Sequence, residues 1–310
     1  MAGAELLEVH KIWDRAPHNA FTDLVRYRDR WWCVFREGEG HVSPDGALRV
    51  LTSRDGREWS SAALLTSPNA DLRDAKISVT PGGSLMLTGA GALHQPAPVR
   101  HRSLAWFSDN GHDWSEPAWI GDADFWLWRA TWWRGVAYSV GYSTQVDAAS
   151  RITRLYSSPD GKKYQRLVER YFTADYPNEH ALAFEPDDTC LCLLRRDNGT
   201  ATAQLGRARP PYTEWTWQDL GVRIGGPAMI RLRDGTLLAG LRLYKPQART
   251  VLCRLDPQAG RLEKLVTLPS QGDSSYPGFV WHDDRLWMSY YSSHEGKTNI
   301  YLAQIRIRKG

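Results

Sequence analysis

Gly272 to Ile300, GDSSYPGFVWHDDRLWMSYYSSHEGKTNI, reads as two short strands meeting at a turn. Tyr276 stands at the head of the first. Phe279, Val280 and Trp281 form its apolar run, His282 to Arg285 make the turn, and Leu286 to Tyr291 return as the second strand. The same plan recurs along the chain: a small or polar head, an apolar strand, a turn holding Asp, Gly or Arg, and a second apolar strand with a polar end. Taking Ala20, Asp74, Arg129, Glu179, Pro227 and Tyr276 as the heads, the spacings are 54, 55, 50, 48 and 49 residues. A period of about 50 residues with four short strands in each unit is the spacing of a β-propeller.

The rest of each unit agrees. After the first hairpin comes a third strand, such as Ala47 to Thr52, then a tight turn and a fourth strand. Three of these turns share a pattern: SRDGREW at 53–59, SDNGHDW at 108–114 and SPDGKKY at 158–164. In each, the Asp or Asn can bond its own turn backbone, Gly permits a positive φ, and the aromatic packs over the hairpin. No amphipathic helix longer than two turns and no linker interrupts the series. The expected fold is all-β: six four-stranded antiparallel blades in a single propeller domain over residues 1–310, with Leu6 to Trp13 adding the outermost strand of the last blade beside Thr298 to Ile307.

Composition narrows the function classes. Of 310 residues 42% are apolar, with 15 Trp and 13 Tyr against 7 Phe, so the aromatic load lies in side chains with a broad face and a hydrogen-bonding tip, suited to strands and to sugar platforms. The net charge of +4 has no basic run behind it, which argues against nucleic acid. No run of about 18 apolar residues suggests a membrane span, and MAGAELLEVHKIWDRAPHN lacks a basic segment followed by an apolar stretch, so a cytoplasmic chain is expected unless a signal peptide has been removed. Cys33, Cys190, Cys192 and Cys253 lie inside apolar strands without zinc spacing and read as buried free thiols. No metal or cofactor motif is present; His41 and His294 are loop histidines without ligand spacing. A G-x-S-x-G turn is absent, so Ser/His/Asp catalysis has no support.

In a propeller the innermost strand of each blade starts near the axis, so the heads converge on one mouth. Here they are His18 and Asn19, Asp74, Arg129, Glu179, Pro227 and Tyr276. So many charges at one mouth suggest a polar ligand site. Trp126, Trp128, Trp132 and Trp133 are candidates for sugar platforms or for packing between blades.

The three turns resemble the Asp-box of the sialidase superfamily, S-x-D-x-G-x-T-W, one residue shorter here. That resemblance implies roles for particular residues. Tyr276, in SYPG, matches the nucleophile at the head of the last blade, and Glu179 matches the Glu that polarises it. Arg195, 16 residues after Glu179, and Arg249, after Lys245-Pro246, match two members of a three-Arg clamp on the substrate carboxylate. Asp45, in the loop before the strand leading to the first box, matches the acid/base. The family's first Arg has no counterpart, because His18-Asn19-Ala20-Phe21 stands there; Arg36, Arg129 and Arg242 are candidates to replace it.

The chemistry explains these residue types. A sialoside carries a carboxylate on its anomeric carbon, so a neutral phenol avoids the repulsion that a carboxylate nucleophile would meet. A phenol with a pKa near 10 needs a base such as Glu179 as it attacks. Asp45, kept protonated near apolar neighbours, would donate to the leaving oxygen and then activate water, giving retention. The expected activity is exo-hydrolysis of a terminal acidic sugar from a glycan or glycoconjugate. Hydrolysis or elimination at a uronic acid or another sugar, and a carbohydrate-binding propeller without turnover, are the alternatives.

Overall fold

The computed structural model describes residues 3–308 except 96, 97, 145, 146, 148 and 149. Its strands form six antiparallel sheets arranged in chain order around an axis, and no α-helix occurs among the described residues. Blade one holds β2 (His18–Tyr27), β3 (Arg30–Gly38), β4 (Ala47–Ser53) and β5 (Ser60–Leu65). Blade two holds β6 (Ala70–Val79), β7 (Leu85–Leu93), β8 (His101–Ser108) and β9 (Ala118–Ile120). In blade three the innermost strand is broken into β10 (Phe125–Leu127) and β11 (Thr131–Trp133), both paired with β12 (Val136–Ser143), followed by β13 (Thr153–Ser158) and β14 (Gln165–Phe172).

Blade four comprises β15 (Pro177–Phe184), β16 (Cys190–Arg196), β17 (Gln204–Ala208) and β18 (Thr216–Asp219). Blade five comprises β19 (Ile224–Arg231), β20 (Leu237–Leu243), β21 (Arg249–Asp256) and β22 (Arg261–Thr267). Blade six joins the two ends of the chain: β23 (Ser274–His282), β24 (Arg285–Ser292) and β25 (Asn299–Ile307) are completed by β1 (Ala4–Trp13), which runs antiparallel to β25. The ring closes as the repeat predicts.

Burial falls from the axis outward. In β16 every side chain but that of Arg195 is buried, whereas β22 is exposed or half-buried throughout. The middle strands are covered on both faces by adjoining blades, so they read as continuous apolar runs rather than alternating ones. The core is accordingly a set of wedges between blades. Trp31 of β3 meets Trp287 of β24 with ring centroids 4.4 Å apart, and Trp133 of β11 stacks on Phe184 of β15 at 5.2 Å. Each such aromatic removes about 150–250 Å² from water, about 4–6 kcal/mol gross. All four cysteines are buried and free.

The three shared turns have the hydrogen bonds their sequences predict. In the first, Ser53 Oγ accepts from Gly56 N at 2.9 Å, and Asp55 Oδ1 accepts from the N–H groups of Arg57 and Glu58 at 2.8 and 3.0 Å. The second and third repeat this through Asn110 and Asp160. Their glycines also seal the wedges. A Cβ on Gly56 would stand 2.6 Å from Trp287, on Gly111 2.2 Å from Trp32, and on Gly161 2.5 Å from Met86. Each contact falls on the second strand of the preceding blade.

A second repeated device lies at the axis. The innermost strands of five blades slip register near their heads: between Ala20 and Asp23, Arg73 and Lys76, Pro177 and His180, Gly225 and Ala228, and Ser275 and Gly278. Four of these β-bulges carry a left-handed residue: Phe21 (φ 65°), Asp74 (φ 55°), Gly226 (φ 53°) and Tyr276 (φ 52°). A bulge bends its strand and re-aims a side chain. For a non-glycine residue that conformation costs about 1–3 kcal/mol, and such strain clusters at functional sites.

Candidate active site

The bulges deliver Phe21, Asp74, Glu179 and Tyr276 to the wall of one cavity of about 450 Å³ at the mouth of the axis. The rest of the lining includes His41, Arg73, His101, Trp126, Tyr142, Arg151, Asn178 and Arg195. A larger groove of about 750 Å³ lies between blades five and six, lined by Leu232, Trp281, Asp284 and Arg306, and none of the polar heads reaches it.

Tyr276 and Glu179 are 97 residues apart in sequence, yet the Tyr276 hydroxyl donates to Glu179 Oε1 at 2.7 Å. Arg195 Nη1 donates to both Glu179 oxygens, at 2.8 and 2.7 Å, and to the Tyr276 hydroxyl at 3.1 Å. Its Nε donates to Asp197 at 2.9 Å. The phenol ring is gripped by aromatics, with Phe21 and Trp128 edge-on at 5.2 and 5.6 Å. Gly226 makes room for it, since a Cβ there would lie 2.8 Å from the Tyr276 ring. Burial, and then the Glu179 carboxylate, push the Tyr276 phenol well above its usual range, against the opposing effect of Arg195 and Arg242. Tyr276 is therefore a neutral phenol at neutral pH with a base already hydrogen-bonded to it.

Asp74 has the opposite environment to that of an ordinary surface carboxylate. Burial raises its pKa despite the nearby Arg73 and Lys76, and Glu179 adds to the rise. Lys76, buried beneath it with its ammonium 4.6 Å from the Trp128 ring centroid, is pushed down by burial to about 8. Two carboxyls in one cavity thus differ in surroundings: burial raises the pKa of Asp74, whereas Glu179 is bound to a guanidinium.

The structure does not gather every residue picked from the sequence. Asp45 is exposed rather than shielded by apolar neighbours, and the Ser43 hydroxyl and Glu39 N–H hold its carboxyl below the usual range, so the protonated state expected of it is not favoured. Its loop sends His41 and Val42 to the cavity instead. Arg249 bonds Ala248 O and Gln247 Oε1 within its own loop, and it lines a separate pocket with Lys245 and Pro246. Arg36 is fully buried and spends its guanidinium on Asp71, Gly40 O and Ser43.

Arg129 occupies the far end of the axial channel, where it bonds Asp23 at 2.6 Å and Pro277 O at 3.0 Å. Arg242 lies behind Tyr276, 5.6 Å from its ring centroid, with Nε on Ser274 O at 2.9 Å. Asn19 joins blade one to blade six through Ala16 O and Thr298 O. His18 bonds Asp273 at 3.1 Å beside the cavity. Of the tryptophans, Trp126 faces the cavity, its ring parallel to Tyr142, while Trp132 and Trp133 pack between blades.

Several lining residues carried no signal of their own. Arg73 flanks the Asp74 bulge; its guanidinium lies 3.6 Å from Asp71, and its Nε is buried without a partner. Arg151 comes from the β12–β13 connection, stacks 4.8 Å from the Tyr142 centroid, and bonds the Tyr176 hydroxyl at 2.9 Å. Asn178 precedes Glu179 within the same bulge.

No protein-family model matches the chain, and no curated protein does. Solved structures do. A Dyadobacter fermentans protein of unknown function superposes with a TM-score of 0.87 at 18% identity, over 99% of this chain and 100% of that one. The Fusarium graminearum GH93 α-L-arabinofuranosidase, solved with arabinobiose, gives 0.74 at 12% identity, over 97% and 98%. The Trypanosoma rangeli sialidase, solved with sialic acid, gives 0.70 at 12% identity; the match covers 97% of this chain and 59% of the sialidase. The six-bladed propeller is thus shared with glycosidases of two specificities.

Proposed function

We propose that this chain is an exo-acting, retaining glycoside hydrolase that removes a terminal acidic sugar from a glycan. The observation carrying the reading is the 2.7 Å hydrogen bond from Tyr276 to Glu179, inside a cavity that also holds the buried Asp74. Tyr276 Oη attacks the anomeric carbon while its proton passes to Glu179, and Arg195, bonded to both, stabilises the negative charge as it shifts from the carboxylate onto the attacking oxygen. Asp74 gives its proton to the leaving oxygen as the glycosidic bond breaks. Water, deprotonated by Asp74, then attacks the anomeric carbon; the bond to Tyr276 breaks, and Glu179 returns the phenol proton.

Asp74 replaces Asp45 as acid/base in this reading because burial, not exposure, keeps a carboxyl protonated. Arg73 and Arg151 replace the carboxylate clamp, since Arg195 is bound to Glu179 and Asp197 while Arg249 faces another pocket. Tyr276→Phe and Glu179→Gln are each expected to lower kcat on an aryl glycoside of sialic or glucuronic acid by at least about 100-fold. Full activity in both variants would refute the mechanism.

The commitment of Arg195 favours a second reading: a neutral terminal sugar such as an arabinofuranosyl group, with Glu179 itself as nucleophile and Asp74 as acid. Two-carboxylate retention is the commoner glycosidase arrangement. Turnover of an aryl α-L-arabinofuranoside that survives Tyr276→Phe but not Glu179→Gln selects it.

A further inference from the structure

At the rim of the cavity, where the last blade meets the first, two imidazoles converge on one carboxylate oxygen. His18 Nε2 lies 3.1 Å and His41 Nδ1 2.7 Å from Asp273 Oδ2. Among the described residues this is the group of three metal-ligating side chains whose donor atoms all lie within 4.8 Å of one another. We propose that His18, His41 and Asp273 bind one divalent ion of the zinc class.

The donor set is borderline nitrogen with one carboxylate, which suits Zn²⁺ and Co²⁺ rather than Mg²⁺ or Ca²⁺. Ligands at about 2.0–2.1 Å on a tetrahedral ion lie about 3.3–3.4 Å apart. Measured from Asp273 Oδ2, His18 Nε2 at 3.1 Å is already near that spacing and His41 Nδ1 at 2.7 Å must withdraw by about 0.6–0.7 Å; His41, on an exposed loop with half its side chain in solvent, has freedom to move. Asp273 is already oriented for the task. The Tyr291 hydroxyl donates to its other oxygen, Oδ1, at 2.6 Å, which turns Oδ2 toward the imidazoles. A hydrogen bond to the non-ligating oxygen is the usual outer support of a metal-bound carboxylate.

Arg242, 3.7 Å from Oδ1, opposes a second cation and sets a ceiling on affinity. Three protein ligands leave a fourth position open on the solvent side of His41, the pattern of a reactive rather than a closed site. His18 opens β2, Asp273 immediately precedes β23, and His41 follows β3, so the ion joins blade six to blade one. It would also fix the His41 loop against the cavity. His41 meets Phe21 edge-on at 5.1 Å, and Phe21 in turn meets Tyr276.

Chelator-treated full-length protein titrated calorimetrically with ZnCl₂, and spectroscopically with CoCl₂, tests this. One equivalent is expected to bind, with the visible bands of four-coordinate Co²⁺ and a raised melting temperature. His41→Ala, an exposed position that leaves the fold alone, should abolish binding. Tyr291→Phe should weaken it by about 10–100-fold, as loss of outer support does. His112→Ala, in the 108–114 turn away from the cavity, should leave it unchanged. Absence of binding, or one equivalent retained with equal affinity in His41→Ala, overturns the proposal.

Discussion

Tyr276 combines a left-handed backbone at φ 52° and a pKa displaced upward by burial with a buried hydroxyl bonded to the Glu179 carboxylate; the core residue Tyr212 (φ 64°) shares the first two but bonds a backbone carbonyl, so the carboxylate partner is what sets Tyr276 apart. Asp74 shares the left-handed geometry at φ 55°. Because burial raises its pKa, the folded protein binds this proton more tightly than the unfolded chain does. Its contribution to stability is therefore full below the unfolded pKa of about 3.9 and is lost as pH rises through the higher folded value. Asp74→Asn should accordingly raise the melting temperature at pH 7 while lowering kcat on a poor leaving group by about 10²–10⁴-fold. The same variant should lose the alkaline limb of the pH–rate profile and keep more of its activity on nitrophenyl glycosides. A lowered melting temperature with unchanged kinetics would show Asp74 to be a structural group.

Among the elements, the bulged inner strand and the glycine turn divide the work. Bulges present chemistry at the mouth; turns lock blades together. Gly226 occupies in blade five the bulge position that Tyr276 occupies in blade six, and its missing side chain is the space the phenol uses. Gly226→Ala should push the ring away from Glu179 and lower kcat/KM about 100-fold, with little change in the far-ultraviolet circular dichroism. The turn at Gly111 is different in kind, because a methyl there meets Trp32 at 2.2 Å in a backbone of φ 77°. Gly111→Ala should cost about 2–5 kcal/mol in chemical denaturation while leaving KM unaltered. A kinetic defect there, or a merely structural one at Gly226, would reverse this assignment.

For the whole molecule, ring closure and acid tolerance are the testable consequences. Among the described residues β1 is the strand that pairs with the outer edge of β25, and Trp13 carries it into the core. Deleting residues 3–13 should expose that edge and replace the cooperative melt with aggregation, measurable by calorimetry and sedimentation. His180, wholly buried on β15, accepts the Val140 N–H at 3.2 Å, and burial lowers its pKa to about 3. Above about pH 6.5 the imidazole is neutral in both states, and its contribution is complete. As pH falls from there toward 3 the unfolded chain gains a proton that the native one refuses, so stability drops by up to about 1.4 kcal/mol per pH unit. His180→Asn should flatten the fall in melting temperature over that window; an unchanged slope would place the acid sensitivity elsewhere.

The fold was legible because its signals are local and repeated. A 50-residue period, an Asp or Asn that bonds its own turn, and a glycine free to take positive φ are written within a few residues of one another, and each recurs until coincidence is excluded. Glu179 and Tyr276 could be paired only through family resemblance, and the structure brings them into contact. Asp45 and Arg249 matched in position, and Arg36 was a candidate to replace the missing Arg, yet their partners are elsewhere: a loop N–H for Asp45, a neighbouring carbonyl for Arg249 and Asp71 for Arg36. Arg73 and Arg151 reach the cavity without any motif to announce them. Which way a side chain turns at a bulge, and whether a charge meets water or a buried partner, depends on atoms contributed by other blades, as far as 255 residues away in the His18–Asp273 pair. Short-range turn chemistry therefore specifies the ring, whereas the polar contents of its mouth are set by long-range packing and desolvation.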